Sequence, residues 1–431
     1  MLALAAALAL PFCLLYARAG AEIAIAVIDI LFLWRSARLR DWSWARQPWF
    51  ILGCLWWLAD IIASAPIPAL GLGQGGWPSL SQALVLGRLL LLAAALGRFV
   101  LAEPRARTFA WIAIAISEFW IALQCWQQEI FGVNIFGDHR WPDGALTGPF
   151  WAPRAGPPYT HLLFVVMLPV IVSLYARGSA VSRIAAAVIG ILGFLTSVMI
   201  GQRMPFLLAV LGLLVTALFL RPVRLPAIAL GLLALALIPA MKIVSPPTFD
   251  KLVLETSHQA AHFAQSPYGE LYTRAAVMIE HSPWHGYGFN GFLYFCGQRR
   301  FGGGLPALGI GPTSLGKGAC NIHPHNFYLQ AAVDAGIPGL ILFAGMNLAW
   351  LIALARGLAR RPDALRLGLF IGVLTYAWPL ASTDNFAVLP MAGWLFLMLG
   401  FGLALTPSGR PEPQFLYDVR QAALVNGNRY D

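Results

Sequence analysis

The sequence is poor in charge. Only 11% of its 431 residues are Asp, Glu, Lys or Arg, against about a quarter in soluble globular chains. With 59% hydrophobic residues and a mean hydropathy of +0.70, this scarcity excludes both an ordinary soluble domain and intrinsic disorder. Lysine is nearly missing, with Lys242, Lys251 and Lys317 the only three. No basic run carries interleaved aromatics, so the net charge of +10 does not mark a nucleic-acid surface. Five cysteines are too few for a disulfide-built scaffold. Asp-x-Asp occurs nowhere, which argues against a metal-dependent enzyme using nucleotide sugars. His281 and His285, and His323 and His325, suggest zinc spacing, but Ser282-Pro283 interrupts the helix that an i, i+4 pair needs. No metal site is expected.

What the chain has instead is apolar runs of membrane-crossing length. They fall at roughly 2–17, 21–34, 48–64, 79–101, 109–127, 159–176, 184–200, 206–220, 225–241, 335–355, 367–381 and 386–406. The expected fold is all-α, a polytopic bundle of about twelve spans. Ala17-Arg18-Ala19 imitates a signal-peptide cleavage site, but the basic n-region is missing, so a retained first helix is expected. With the N-terminus inside, the inward connections and the tail hold eighteen Arg and the short outward connections only four, Arg18, Arg140, Arg154 and Arg203. That bias places both termini in the cytoplasm. The expected layout is nine spans in 1–241, a large outward loop over 242–334, three spans in 335–406 and a polar tail over 407–431. The loop holds six of the eight His. Its part from Phe249 to Glu280 reads as helical and its part from Gly297 to Gly318, rich in Gly and Pro, as irregular.

Charges inside spans are costly in lipid. Asp60 in the third run and Arg88 in the fourth lie at similar depth toward the outer face, a candidate ion pair; Glu118 sits nearer mid-span. Three cysteines, Cys13, Cys54 and Cys125, lie in spans, whereas Cys296 and Cys320 bracket the Gly-rich stretch of the outward loop. In an oxidising compartment these two are a candidate disulfide.

The sharpest motif is His323-Pro324-His325-Asn326-Phe327-Tyr328, followed nine residues later by Gly336-Ile337-Pro338-Gly339. Upstream stand Gly201-Gln202-Arg203 in a short outward turn, and Arg274 ahead of Ser282-Pro283-Trp284-His285-Gly286-Tyr287-Gly288-Phe289-Asn290-Gly291. This pattern resembles the O-antigen ligase family, whose hallmark is a His followed by Asn, Ser or Gln, nine residues, then Gly-x-x with Gly, Thr or Tyr. The resemblance covers roughly 160–400; the N-terminal third is similar in hydropathy only.

The resemblance implies a GT-C-type membrane glycosyltransferase with no cofactor. It would move a glycan from undecaprenyl diphosphate to a sugar hydroxyl of lipid A-core at the periplasmic face of the inner membrane. A diphosphate is a good leaving group, so charge stabilisation matters more than acid catalysis, and guanidinium forks supply it. Arg203 and Arg274 are the candidates for that task, and His325 is the candidate base for the acceptor hydroxyl. Gln202, Asn290, His323, Asn326, Gly336 and Gly339 are expected around the substrates, with Gly336 and Gly339 letting their helix approach a neighbour. An O-antigen polymerase or a protein oligosaccharyltransferase would share the donor and differ in acceptor. A glycolipid transporter is the rival of another class.

Overall fold

The computed structural model describes residues 1–314, 320, 323–381, 386 and 388–406. The tail after 406, and residues 315–319 within the Gly-rich stretch, lie outside the described residues. Sixteen α-helices make up the described chain: α1 Leu2–Tyr16, α2 Arg18–Leu39, α3 Pro48–Ser64, α4 Gly76–Ala95, α5 Pro104–Phe131, α6 Gly156–Ala176, α7 Ala180–Met199, α8 Arg203–Phe219, α9 Arg224–Val244, α10 Pro246–Phe249, α11 Glu255–Ala261, α12 Pro267–His281, α13 Gly291–Phe295, α14 Phe327–Ala355, α15 Ala364–Ala377 and α16 Leu389–Leu405. Among the described residues only isolated β-bridges occur, at Val133 with His139 and Leu305 with Ile310.

Six stretches are long and apolar enough to cross a membrane: Gly76–Val100, Pro104–Phe131, Gly156–Ala176, Ala180–Met199, Arg221–Val244 and Phe327–Ala355. Five more apolar helices are shorter: α1, α3, α8, α15 and α16. α2 has the length but carries Glu22, Asp29 and Arg35. Among the described residues, each apolar run read from the sequence is helical over most of its length. The first two are separated by Ala17 alone, which takes φ −133°, ψ 76°.

Two large apolar cores fill the bundle. One gathers α1 to α4 with α14 and α16, and the other gathers α6 to α9 with α15. Many Leu, Ile and Phe side chains on the outer faces are exposed, among them Phe119, Leu218, Leu225 and Ile341, as suits helices surrounded by hydrocarbon rather than water.

The expected Asp60–Arg88 pair does not form. Equal depth along two helices does not give a shared face. α2 packs on α4 and brings Glu22 to Arg88, whose Nε and Nη2 donate to the two carboxylate oxygens at 2.8 and 2.7 Å. Asp60 turns with α3 toward α14, where its charged neighbour is Asp334, and both are buried.

The polar segment between α9 and α14 consists of two unlike pieces. From Asp250 to Leu254 the chain makes a π-helical turn that runs into α11, and after Phe263–Gln265 it reaches α12. From α12 onward it has a core of its own, with Leu271, Ala275, Met278, Tyr287, Phe292, Phe301 and Val333 buried together. The described part of the Gly-rich stretch is short 3-10 turns, Arg299–Gly302 and Pro306–Leu308.

Candidate active site

α14 begins eight residues before the apolar run read from the sequence, and Asn326 is the reason. Its Oδ1 accepts the N–H groups of Tyr328 and Leu329 at 2.9 and 3.1 Å, an N-cap that satisfies two donors of the first turn. Its Nδ2 donates to the carbonyl of Pro379 at 2.8 Å, and Tyr272 of α12 lies near the same side chain. Asn326 therefore anchors the helix instead of standing open to a ligand. Asn and Ser are both strong caps, which gives the residue after the motif's His a physical meaning.

His325 sits just outside this cap in the left-handed region, φ 54°, a conformation uncommon for a residue with a side chain. Its N–H donates to Nδ1 of His323 at 3.1 Å, and the two rings lie 4.1 Å apart. Tyr268 of α12 meets the His325 ring edge to face at 5.3 Å. His323 is buried, while His325 is half-buried and so retains access from outside.

α14 then breaks at Ala335 and Gly336, where Gly336 takes φ 67°, ψ −166°. That region is essentially restricted to glycine, and a Cβ there would come within 2.6 Å of the Pro283 carbonyl oxygen. The break lets Ile337 donate its N–H to that carbonyl at 2.7 Å, and Tyr287 and Gly288 donate to the carbonyls of Val333 and Asp334 at 2.8 and 2.9 Å. The Gly-x-Gly loop is thus stitched onto α14 by main-chain bonds. Only Gly336 makes the close approach expected of both glycines. A Cβ on Gly339 would meet Ala335 of its own helix at 2.4 Å, so its smallness accommodates the kink.

Asp334 completes the seam. Its Oδ1 accepts the Gly291 N–H at 3.0 Å. Asn290, left-handed at φ 59°, donates Nδ2 to Oε1 of Gln82 on α4 at 2.6 Å. Asn290 is 5% exposed and ties the loop to the bundle.

Arg274 is 1% exposed. Its Nε donates to Thr313 Oγ1 at 2.9 Å, Nη1 to the Cys296 carbonyl at 2.6 Å and to Cys320 Sγ at 3.4 Å, and Nη2 to the Ser314 carbonyl at 2.6 Å. Burial pulls its pKa down, opposed by Glu270. Cys296 and Cys320 are disulfide-bonded, with Cα atoms 5.8 Å apart. Arg274 therefore holds the bridged loop from inside. The sequence reading gave it the same task as Arg203, and its burial assigns it another.

Arg203 opens α8 and belongs to a second cluster. Its Nε donates to the Lys251 carbonyl at 2.9 Å, Nη1 to Oε1 of Gln259, and Nη2 pairs with the carboxylate of Glu255. Beside it, Gln202 donates Nε2 to the Pro153 carbonyl, in the earlier connection between α5 and α6. The two clusters touch through α12: Phe263 meets the Tyr272 ring at 5.9 Å, and Tyr272 reaches Asn326. Burial raises the Tyr272 pKa, with the Asn326 bond opposing.

Tyr268, Tyr272, Glu255, Gln259 and Asp334 escaped the sequence reading. Tyr268 with Tyr272, and Glu255 with Gln259, are i, i+4 pairs, which share a helix face. That spacing was the available signal. Among the described residues no group of three or more His, Cys, Asp or Glu side chains is placed to hold a metal ion.

Residues 188–344 match the family model described as O-antigen ligase. No curated protein sequence matches the chain. The matched stretch contains the Arg203 cluster, Arg274, the stitched Gly-x-Gly loop, His325 and the Gly336 break. It also contains three of the helices long and apolar enough to span a bilayer, in whole or in part. Residues 188–344 are thus similar to an O-antigen ligase domain, carried in an all-helical chain with six stretches long and apolar enough to cross a membrane.

Proposed function

We propose that this protein transfers a glycan from undecaprenyl diphosphate to a sugar hydroxyl of lipid A-core, with inversion and without a metal. The observation that carries the reading is His325. It is a half-buried imidazole held in a left-handed turn by the capped start of α14, by His323 and by Tyr268, within the matched stretch.

In the reaction His325 takes the proton of the acceptor hydroxyl while that oxygen bonds to the anomeric carbon. The bond from that carbon to the diphosphate breaks, and undecaprenyl diphosphate leaves with the electron pair. Arg203, 20% exposed on its side chain, presents its fork to the departing phosphate oxygens. Arg274 is a positioning residue that keeps the bridged loop and the His segment in register. Asn290, Asn326 and Gly336 set the shape of the site, and His323 fixes the backbone of His325.

In this reading the twelve apolar helices cross the inner membrane and both termini are cytoplasmic. The 242–334 segment lies in the periplasm as the catalytic loop, between nine spans in 1–241 and three in 335–406. The bridge between Cys296 and Cys320 supports an oxidising compartment for that loop. The test is a purified assay with lipid-linked glycan and lipid A-core. His325→Ala is expected to lower ligation by about 10²- to 10⁴-fold, with a wild-type melting profile and with wild-type activity unaffected by EDTA. Ligation near the wild-type rate by His325→Ala would remove the base from the mechanism.

A further inference from the structure

Arg203, the residue offered to the donor, has a partner at each of its three nitrogens. Its three nitrogens meet a main-chain carbonyl at Lys251, a carboxamide at Gln259 and a carboxylate at Glu255. A carboxylate and a phosphate are the same kind of partner for a guanidinium fork. A diphosphate arriving at Arg203 therefore finds an anion already in place, and two anions at one fork repel each other.

The chain that supplies this anion is weakly held. No residue from Phe249 to Gln265 is buried, although the flanking Thr248 and Ser266 are. Phe249 and Leu252 are only partly covered by the bundle core. A stretch with so little burial sits at the low end of local opening free energies. Its attachments are largely polar: the three bonds to Arg203 and an ion pair between Lys251 and Asp143. Its first turn is π-helical, a rare geometry that recurs at functional sites. At its far end Phe263 rests on Tyr272, which lies near the Asn326 cap beside His325.

We propose that Glu255 is an internal substitute for the donor's phosphate, holding the Arg203 fork and the 249–265 strap together until a lipid diphosphate displaces it. The inference rests on the donor-binding reading of Arg203. Glu255 then tunes donor affinity from a half-exposed position, its side chain 52% accessible, without touching the sugar chemistry. Displacement frees the strap at its Arg203 attachment and leaves it held by Lys251 and Phe263.

The experiment uses the full-length protein in nanodiscs with undecaprenyl diphosphate as the probe. Glu255→Gln keeps the side-chain shape without the charge and is expected to lower the Kd about two- to five-fold, the scale of an exposed ion pair. Asp250→Asn, an exposed acid on the same strap with no bond to Arg203, is the control and is expected to leave the Kd unchanged. Hydrogen exchange of amides 250–265 is expected to accelerate when the lipid binds wild type, and to be fast without lipid in Glu255→Gln. If wild type binds the lipid but the Glu255→Gln Kd or the strap's exchange is unaltered, the inference is overturned and the Arg203 reading stands. If Arg203→Ala binds the lipid as wild type does, or if wild type does not bind it, the donor reading fails and the inference with it.

Discussion

Two arginines of the candidate site are held in opposite ways. Arg274 is 1% exposed and bonded to main-chain carbonyls and to a bridged cysteine, within a loop that has its own apolar core. Arg203 is partly open and bonded mainly to side chains of a strap in which no residue is fully buried. The first arrangement makes an arginine part of the fold, because removing it strands buried acceptors. The second makes an arginine available, because its partners return to water at little cost. Residue type alone does not separate a structural guanidinium from a functional one; what its partners lose on separation does.

The largest effect expected from this contrast is on stability. Arg274→Ala removes the guanidinium bonded to the buried Cys296 carbonyl and Thr313 hydroxyl and to the carbonyl of exposed Ser314. At about 1–3 kcal/mol for a buried group that loses its bond, the loop over 297–314 should become open to limited proteolysis in a protein still inserted in the membrane. Reducing the bridge between Cys296 and Cys320, whose partners are 24 residues apart, should cost the same region about 3 kcal/mol by chain-entropy reasoning. The measurement is cleavage of that loop before and after a membrane-compatible reductant; cleavage within 250–265 should not change. Resistance to cleavage in both cases would mean that the loop core stands without either support.

Gly336→Ala tests the seam between the loop and α14. Strain at φ 67°, ψ −166° is expected to cost about 1–3 kcal/mol, read as a lower melting temperature, with ligation falling as the Pro283 contact is pushed away. Smallest in stability is Arg203→Ala, which removes only a partly exposed cluster. Its melting temperature should shift by an amount corresponding to about 1 kcal/mol or less, while binding of undecaprenyl diphosphate is largely lost. A large loss of stability there would erase the distinction between the two arginines.

Much of this was legible in the chain itself. Among the described residues each apolar run is helical over most of its length, because a stretch of Leu, Ala and Val without polar interruption satisfies its backbone most readily as a helix. The close approach expected at Gly336 is there, made by a Gly-only break, whereas the left-handed turn at His325 and the cap by Asn326 were not legible in the motif. The pairing of Arg88 was misread because hydropathy reports depth along a helix and not the direction a side chain faces. Glu22 was overlooked as a partner because it sits in the most polar of the apolar helices, where a charge attracts little notice. Tyr268 and Tyr272 are placed at the site by the packing of α12 against the start of α14, which their i, i+4 spacing alone does not reveal.

Local chemistry is enough to determine where this chain is helical, where it must bend and which residue types stand ready for phosphate and proton chemistry. Those properties depend on side-chain volume, backbone freedom and charge, which act over a few residues. Packing decided the rest: that Arg274 faces inward, that Arg203 meets Glu255, that Asp60 meets Asp334 and that Tyr268 meets His325. Each of these depends on which helix faces touch, and faces are selected by the fit of whole helices across tens or hundreds of residues of sequence.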